Sequence, residues 1–305
     1  MDVGAPPRSW WGFRPDPPEP RSIVQLIRDR TLDPQLAALL WLLVEARLPV
    51  IVAAERGGAG KTTLLQAVLD FLPPDTRRID LAGVLETFDW LPHARELGWQ
   101  APPSPGSETG LGSLDPAATY LVAAELSDHT PAYTWGDHAR IAIRALSIGY
   151  GLGATIHADS LEEVLGALHE PPVALTDDEL SRLGVVLILR MLPPPPGDIY
   201  PGPMRRVTAA HYVRPLVRDE HGHLQRLGPA VLATWNEQAD SFEHFAWGVV
   251  PELAARVGSA GAEFDAELDR RRDYLAGLAI ACVTDVGAVR SAIGAYRASA
   301  TATAN

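Results

Sequence analysis

Residues Leu48–Phe71 read LPVIVAAERGGAGKTTLLQAVLDF, an apolar run followed by a glycine-rich turn and a helical pattern. Gly57, Gly58 and Gly60 place no side chain between the backbone N–H groups of the turn and an approaching anion, and the start of the helix adds a partial positive charge. Lys61 adds a full positive charge at the same point. The stretch therefore predicts a strand, a phosphate-binding loop and a helix.

Lys61 is the one lysine of the chain, among 26 basic residues. A compact ammonium fits between phosphate oxygens, where the planar guanidinium of arginine would be crowded. We therefore predict that the loop binds a nucleoside triphosphate and that the hydroxyl group of Thr62 holds Mg²⁺. The predicted nucleotide-binding residues are Gly57, Gly58, Ala59, Gly60, Lys61, Thr62 and Thr63.

The loop departs from the usual G-x-x-x-x-G-K-[ST] spacing at its first position, where this chain has Glu55. At about 6 Å and an effective dielectric constant near 20, a carboxylate would repel each phosphate charge by roughly 3 kcal/mol. We expect Glu55 to point away from the nucleotide or to pair with Arg56.

The composition is that of a globular protein of 305 residues, with 47% hydrophobic residues, a net charge of −12 and a pI near 5.2. This acidic balance argues against broad nucleic-acid binding, so we expect no direct nucleic-acid partner. The single cysteine excludes an internal disulfide, and we predict that Cys282 is a small core residue. We find no signal peptide or bilayer-spanning run, so the expected location is the cytoplasm. His221-x-His223 lies in a polar turn without further ligands, and we do not expect it to bind a metal.

Strand and helix patterns alternate from residue 49 to residue 192, which predicts an α/β fold with a mostly parallel sheet covered by helices on both faces. We divide the chain into an extended N-terminal arm (1–21), a nucleotide-binding core (22–200) and a C-terminal extension (201–305). The extension is predicted to contain antiparallel β-hairpins over 207–217 and 230–245, with turns near 219–222 and 237–240. Two helices over 261–298 are predicted to follow and to pack against the sheet.

Glu125 and His157 each follow a predicted strand. An acidic residue at such a strand end can order a metal ion or accept a proton from water, although many strands end in glutamate without such a role. A lone histidine at a strand end is usually structural. Its position relative to the other strands decides whether it can instead take part in a functional site. Between them, Asp137 is predicted to cap a helix that carries Arg140 and Arg144 on one face.

Several segments resemble motifs of the ATPases of the type II and type IV secretion superfamily and occur in the same order along the chain. The resemblance is closest to the branch that powers archaella and archaeal-type pili. The resemblance covers about residues 11–297. The matching segments are TLDPQLAALLWLLVEARLPVIVA, GGAGKTTLL, FLPPDTRRI, LETFDWLP, YLVAAEL, GLGATIHADSLEEVLGAL and ELDRRRDYL.

The resemblance implies a RecA-like fold and assigns roles to individual residues. Glu86, in the acidic segment, would lie near the metal or the attacking water, and Glu125 would end the Walker B strand. His157 would contact the γ-phosphate side and link hydrolysis to movement between subunits. The family also implies a hexameric ring on a membrane-embedded secretion or pilus platform, and an N-terminal domain that a partner would supply here.

Three positions differ from the family pattern: Glu55-Arg56 replaces a glycine pair, Tyr150 replaces a histidine, and Ser127-Asp128 stands where an arginine motif follows the glutamate strand. An arginine at the transferred phosphate contributes about 10³ to 10⁵ in rate in related enzymes. Arg140, Arg144 or an arginine of a neighbouring subunit could substitute.

Three functions follow from these observations. The first is a ring ATPase that couples hydrolysis to pilus assembly or protein export, with Glu86, Glu125 and His157 as catalytic residues. The second is a nucleotide-binding subunit that hydrolyses ATP poorly and serves the same apparatus as a regulator or scaffold. The third is a small-molecule kinase, for which the sequence offers no recognisable substrate pocket or lid.

Overall fold

A computed structural model of the protein describes residues 20–55, 57–100, 114–193, 203–218, 221 and 224–304. The predicted arm lies almost entirely outside these residues. The described chain forms one eight-stranded sheet in the order β10-β9-β6-β5-β1-β4-β3-β2, and a two-stranded sheet of β7 and β8. The strands are β1 Val50–Ala53, β2 Arg77–Asp80, β3 Thr119–Leu126, β4 Gly151–Ile156, β5 Val185–Leu192, β6 Met204–Tyr212, β7 Val217–Arg218, β8 Leu224–Gln225, β9 Ala230–Asn236 and β10 Ser241–His244.

The five strands β5-β1-β4-β3-β2 are parallel, and β1, which leads into the phosphate loop, lies between β5 and β4. This is the strand order of a RecA-like core, so the predicted α/β class and parallel sheet are confirmed. Alternate residues of β1 enter different cores: Val50 and Val52 pack on one face of the sheet, Ile51 and Ala53 on the other. The sheet is thus covered on both faces.

The helices are α1 Ile23–Arg28, α2 Pro34–Glu45, α3 Lys61–Leu69, α4 Asp137–Arg144, α5 Leu161–His169, α6 Asp177–Leu180, α7 Val250–Arg256, α8 Gly261–Ile280 and α9 Val286–Ala304. Side-chain caps fix several of their starts. The side chains of Ser22, Asp33 and Ser160 each accept a backbone N–H of the following turn, and Thr176 forms a capping box with Glu179.

The predicted cap at Asp137 is wrong. The residue before α4 is Gly136, at φ 58°, a backbone conformation that favours glycine, and it makes no side-chain cap. Asp137 is instead the first helical residue, where its carboxylate pairs with Arg140 at 2.7 Å one turn later. A carboxylate in this position also interacts favourably with the helix dipole.

The strands of the C-terminal extension join the main sheet. β6 pairs antiparallel with β5, β9 pairs with β6, and β10 closes a hairpin with β9 through the turn at 237–240. Most of the segment 207–217 belongs to β6 and forms no hairpin by itself, but β7 and β8 pair antiparallel on either side of the turn predicted at 219–222. The antiparallel pairing with β5 brings the start of β6 to the carboxyl end of the parallel strands.

The last two helices pack against helix α2 rather than directly on the sheet, contrary to the prediction. Helix α2 is apolar on all sides and buried, and Trp41 at its centre stacks on Phe71 at 5.3 Å. The guanidinium of Arg271 from α8 lies 4.7 Å from the Trp41 ring centre, and Tyr296 of α9 contacts the same ring. The extension therefore completes the core around α2.

Cys282 is exposed, at φ 58°, in the turn that follows α8, so its predicted core position is wrong. The apolar run before it suggested burial, but α8 ends at Ile280, which is itself exposed. Among the described residues, no helix combines the length and hydrophobicity that crossing a bilayer requires.

Candidate nucleotide site

The phosphate loop connects β1 to α3 in the conformation that its glycines permit. Gly58 and Gly60 have φ values of 77° and 100°, where a side chain would strain the backbone. A Cβ built on Gly57 or Gly58 would meet no other atom within 4 Å, so space remains beside the loop. Glu55 is exposed, in keeping with the expectation that it points outward, and Arg56 lies outside the described residues.

Lys61 is the first residue of α3, directly after Gly60, and its side chain is only 7% exposed. Its ammonium nitrogen lies 3.1 Å from Nδ1 of His157 and 3.6 Å from Oε2 of Glu125. Burial lowers the pKa of Lys61 from its ordinary value, while the charge of Glu125 acts in the opposite direction. Thr62 is exposed in the first helical turn and Thr63 is half-buried.

Glu125 reaches this group because the β3–β4 register shifts between Ala123 and Leu126. Such an irregularity re-aims side chains at a strand end. The Glu125 side chain is 10% exposed, and its Oε1 lies 3.0 Å from Nε2 of His157 and accepts a hydrogen bond of 3.1 Å from the Ser127 hydroxyl.

His157 follows β4 immediately, and Nδ1 of its ring lies 3.2 Å from the backbone oxygen of Glu55. Lys61, Glu125 and His157 therefore meet at the carboxyl edge of β1, β3 and β4, although Lys61 and His157 are 96 residues apart. Ligands of open parallel sheets bind outside this edge. A cavity of about 630 Å³, lined by Arg47, Tyr150 and Arg182 among others, lies at the opposite edge.

Glu86 lies apart from these three side chains. Its carboxylate accepts hydrogen bonds from the backbone N–H groups of Ala82 and Phe88 and from Nε1 of Trp90, all within its own loop after β2. The residue is buried. In the structure this carboxylate shapes the acidic segment.

The arginines considered as substitutes on α4 are also engaged elsewhere. Arg140 donates to the backbone oxygens of Pro172 and Val173. Arg144 pairs with Glu179 at 2.5 Å and donates to the backbone oxygen of Leu97. Arg140 thus fastens α4 to the loop after α5, and Arg144 fastens it to α6 and to the loop around Leu97.

Two residues at the loop escape sequence reasoning. Arg205 of β6 donates from Nε to the backbone oxygen of Ala59 at 3.0 Å and from Nη2 to that of Gly58 at 3.4 Å. His129 lies with its ring centre 5.3 Å from that of His157 and with Nδ1 3.8 Å from Oε1 of Glu125. The only signal for His129 is its place four residues after Glu125. Arg205 has no local signal, since the pairing of β6 with β5 brings it there.

The geometry defines an α/β protein with a phosphate loop and RecA-like strand order. A comparison with known protein families found no match. Two uncharacterised proteins of Methanocaldococcus jannaschii are similar in sequence. One is 26% identical over 268 residues, covering 83% of this chain and 90% of the relative, and the other is 25% identical over 173 residues, covering 55% and 30%.

Among solved structures, the chain is similar to the VirB11 ATPase of the Brucella suis type IV secretion system, with 21% identity, 54% of this chain covered and a TM-score of 0.33. It is also similar to the Legionella pneumophila ATPase DotB, with 15% identity, 59% covered and a TM-score of 0.32. The chain spans about half the length of each, 49%. The fold assignment rests on the strand order of the sheet.

Proposed function

We propose that this protein is an ATPase subunit that binds ATP and Mg²⁺ at the phosphate loop. The observation that carries the proposal is the meeting of Lys61, Glu125 and His157 at the carboxyl edge of the central strands. A buried ammonium beside open loop amides suits a polyanion, and a carboxylate beside it suits a metal-associated water.

Each side chain has a proposed task in hydrolysis. Lys61 and the loop amides bind the β- and γ-phosphates, and the exposed Thr62 hydroxyl holds Mg²⁺, which would neutralise charge that develops on the phosphates. Glu125 orders the attacking water and accepts its proton, and His157 senses the γ-phosphate. Glu86 supports this edge, and a direct role near the metal or water remains the sequence-based proposal for it.

The structure suggests how binding could prepare catalysis. Lys61 and Glu125 are paired at 3.6 Å, an attraction of roughly 4–5 kcal/mol at an effective dielectric constant near 20. A triphosphate carries several negative charges and would replace Glu125 as the partner of Lys61. The carboxylate released in this way becomes available to water, so nucleotide binding and base activation are coupled.

We further propose, from the resemblance to secretion ATPases, that the subunit works in a ring, a hexamer in the family, against a membrane-embedded secretion or pilus platform. Hydrolysis would then drive rigid-body movement between subunits. A ring motor gains specific activity as its subunits associate, because neighbouring chains complete one another's sites.

The test is ATP turnover by the purified chain, measured across protein concentration with Mg²⁺. We expect phosphate release whose rate per chain rises with concentration and is abolished in Lys61→Ala. His93→Ala, which changes an exposed ring paired with Glu96, is the control and should retain activity. Turnover that Lys61→Ala leaves unchanged would refute the assignment.

A second candidate function is a nucleotide-binding regulatory or scaffolding subunit that hydrolyses slowly. One observation favours it: both oxygens of Glu125 already have partners, Lys61 on one side and His157 and Ser127 on the other. The segment after Glu125 also reads Leu126-Ser127-Asp128, without the arginine that would stabilise the transferred phosphate. Tight ATP binding with turnover equal to that of Glu125→Gln would establish this function instead of the first.

A further inference from the structure

A cluster of metal-ligating side chains, Glu125, His129 and His157, lies at the carboxyl edge of β3 and β4. One donor atom from each lies within 4.8 Å of the other two. We propose that this Glu-His-His cluster binds a divalent transition-metal ion of the Zn²⁺ class, distinct from the Mg²⁺ expected at Thr62.

The donor set selects the kind of ion. Two imidazoles and one carboxylate suit Zn²⁺ and its neighbours, whereas Mg²⁺ prefers oxygen ligands. Bonds of about 2.0–2.2 Å in a tetrahedral site place ligand atoms roughly 3.3–3.6 Å apart. Oε1 of Glu125 lies 3.0 Å from Nε2 of His157 and 3.8 Å from Nδ1 of His129, and all the ligand atoms lie within 4.8 Å of one another. Shifts of up to about 1.5 Å would therefore complete the site.

Groups outside the cluster hold two of the three ligands. Nδ1 of His157 faces the backbone oxygen of Glu55 at 3.2 Å, which directs Nε2 toward Glu125. The hydroxyl of Ser127 donates to the ligating oxygen of Glu125. Metal-binding histidines typically have such an oxygen acceptor on the second ring nitrogen. His129, 60% exposed, leaves the cluster open to an ion from solvent.

Lys61 opposes the metal. Its ammonium lies 3.6 Å from Oε2 of Glu125 and 3.3 Å from Nε2 of His157, the nitrogen that would bind the metal. A cation on Oε1 would therefore be repelled by Lys61 until phosphates draw the ammonium away. The bound metal would in turn occupy the carboxylate that orders water. This inhibition of hydrolysis rests on the proposed function, whereas metal binding itself does not.

The experiment titrates the full chain with Co²⁺, a spectroscopic probe for Zn²⁺ sites, in nucleotide-free buffer. We expect visible ligand-field bands that saturate at one Co²⁺ per chain and disappear on addition of Zn²⁺. His129→Ala should weaken the affinity at least tenfold, and Lys61→Ala should strengthen it at least tenfold. His129→Gln provides a second variant at the same exposed position.

The control is His221→Ala, which disrupts the His221-x-His223 pattern, whose second histidine lies outside the described residues. The control should bind Co²⁺ as the wild type does. Unchanged affinity in both His129 variants, or loss of binding in the control, would overturn the proposal.

Activity provides an independent readout. With Mg²⁺ in excess, micromolar Zn²⁺ should inhibit turnover of the wild type at least tenfold more strongly than that of His129→Ala. Equal inhibition of the two would refute the inhibitory role. If nucleotides ignore the phosphate loop while Co²⁺ still binds through His129, the proposed function fails and the metal site stands. Nucleotide binding without Co²⁺ bands would instead overturn the metal site and leave the proposed function intact.

Discussion

Arg205 is expected to hold the phosphate loop in its binding conformation from the neighbouring strand β6. Its guanidinium donates to the backbone oxygens of Gly58 and Ala59, and its Cδ would lie 3.0 Å from a Cβ on Gly60. Hydrogen bonds from a charged donor contribute about 1.5–3 kcal/mol when buried, and less at this half-buried position. In Arg205→Ala, ordering the loop for binding should therefore cost about 1.4 kcal/mol more free energy. This corresponds to a tenfold loss of ATP affinity.

The assay is titration of each variant with a fluorescent ATP analogue in the presence of Mg²⁺, together with hydrogen exchange of the loop amides. Arg205→Ala should weaken binding about tenfold and accelerate exchange over residues 58–61. Arg190→Ala is the matched control, since it removes an exposed arginine from the adjacent strand β5. Affinity within twofold of the wild type, or an equal loss in the control, would refute the reasoning.

Three further predictions concern stability and the role of Glu86. Hydrogen bonding to the buried Arg206 lowers the pKa of Asp240, so this pair stabilises the fold at neutral pH and loses that contribution as the pH falls below about 4. Asp240→Ala should lower the free energy of unfolding by about 3 kcal/mol at pH 7, and denaturant titrations should show the difference from the wild type shrinking toward pH 2. Glu86→Gln should lower the free energy of unfolding by about 1–2 kcal/mol, because the glutamine side chain offers one oxygen to three donors instead of two. A loss of turnover without a loss of stability would instead indicate a direct catalytic role for Glu86. Gly60→Ala should lower the free energy of unfolding by about 1–2 kcal/mol because of the positive φ of residue 60. Gly57 has open space around it, so Gly57→Ala should change the free energy of unfolding by less than about 0.5 kcal/mol.

The sequence predicts the parts of the fold that local chemistry determines. The glycines before Lys61 indicate the loop, the caps at Ser22 and Asp33 mark helix starts, and alternating strands and helices indicate the parallel sheet. Glu125 and His157 could be expected to meet because carboxyl ends of parallel strands share one edge. These inferences need no knowledge of distant contacts.

The remaining features depend on tertiary pairing. Arg205 reaches the loop only because β6 pairs with β5, which in turn pairs with β1. Cys282 ends in an exposed turn because α8 stops at Ile280, and no periodicity in the apolar run marks that end. The last helices cover α2 because the apolar surface of α2 around Trp41 needed a partner.

The central claim is that the ammonium of Lys61 lies in a site built for nucleotide phosphates, and equilibrium ATP binding tests it most directly. Calorimetric titration with Mg²⁺ and ATP should show that Lys61→Ala loses about 100-fold in affinity, about 2.7 kcal/mol. Arg182→Ala, which breaks an exposed pair with Asp178, should bind as the wild type does. Equal affinity of Lys61→Ala and wild type would contradict the account.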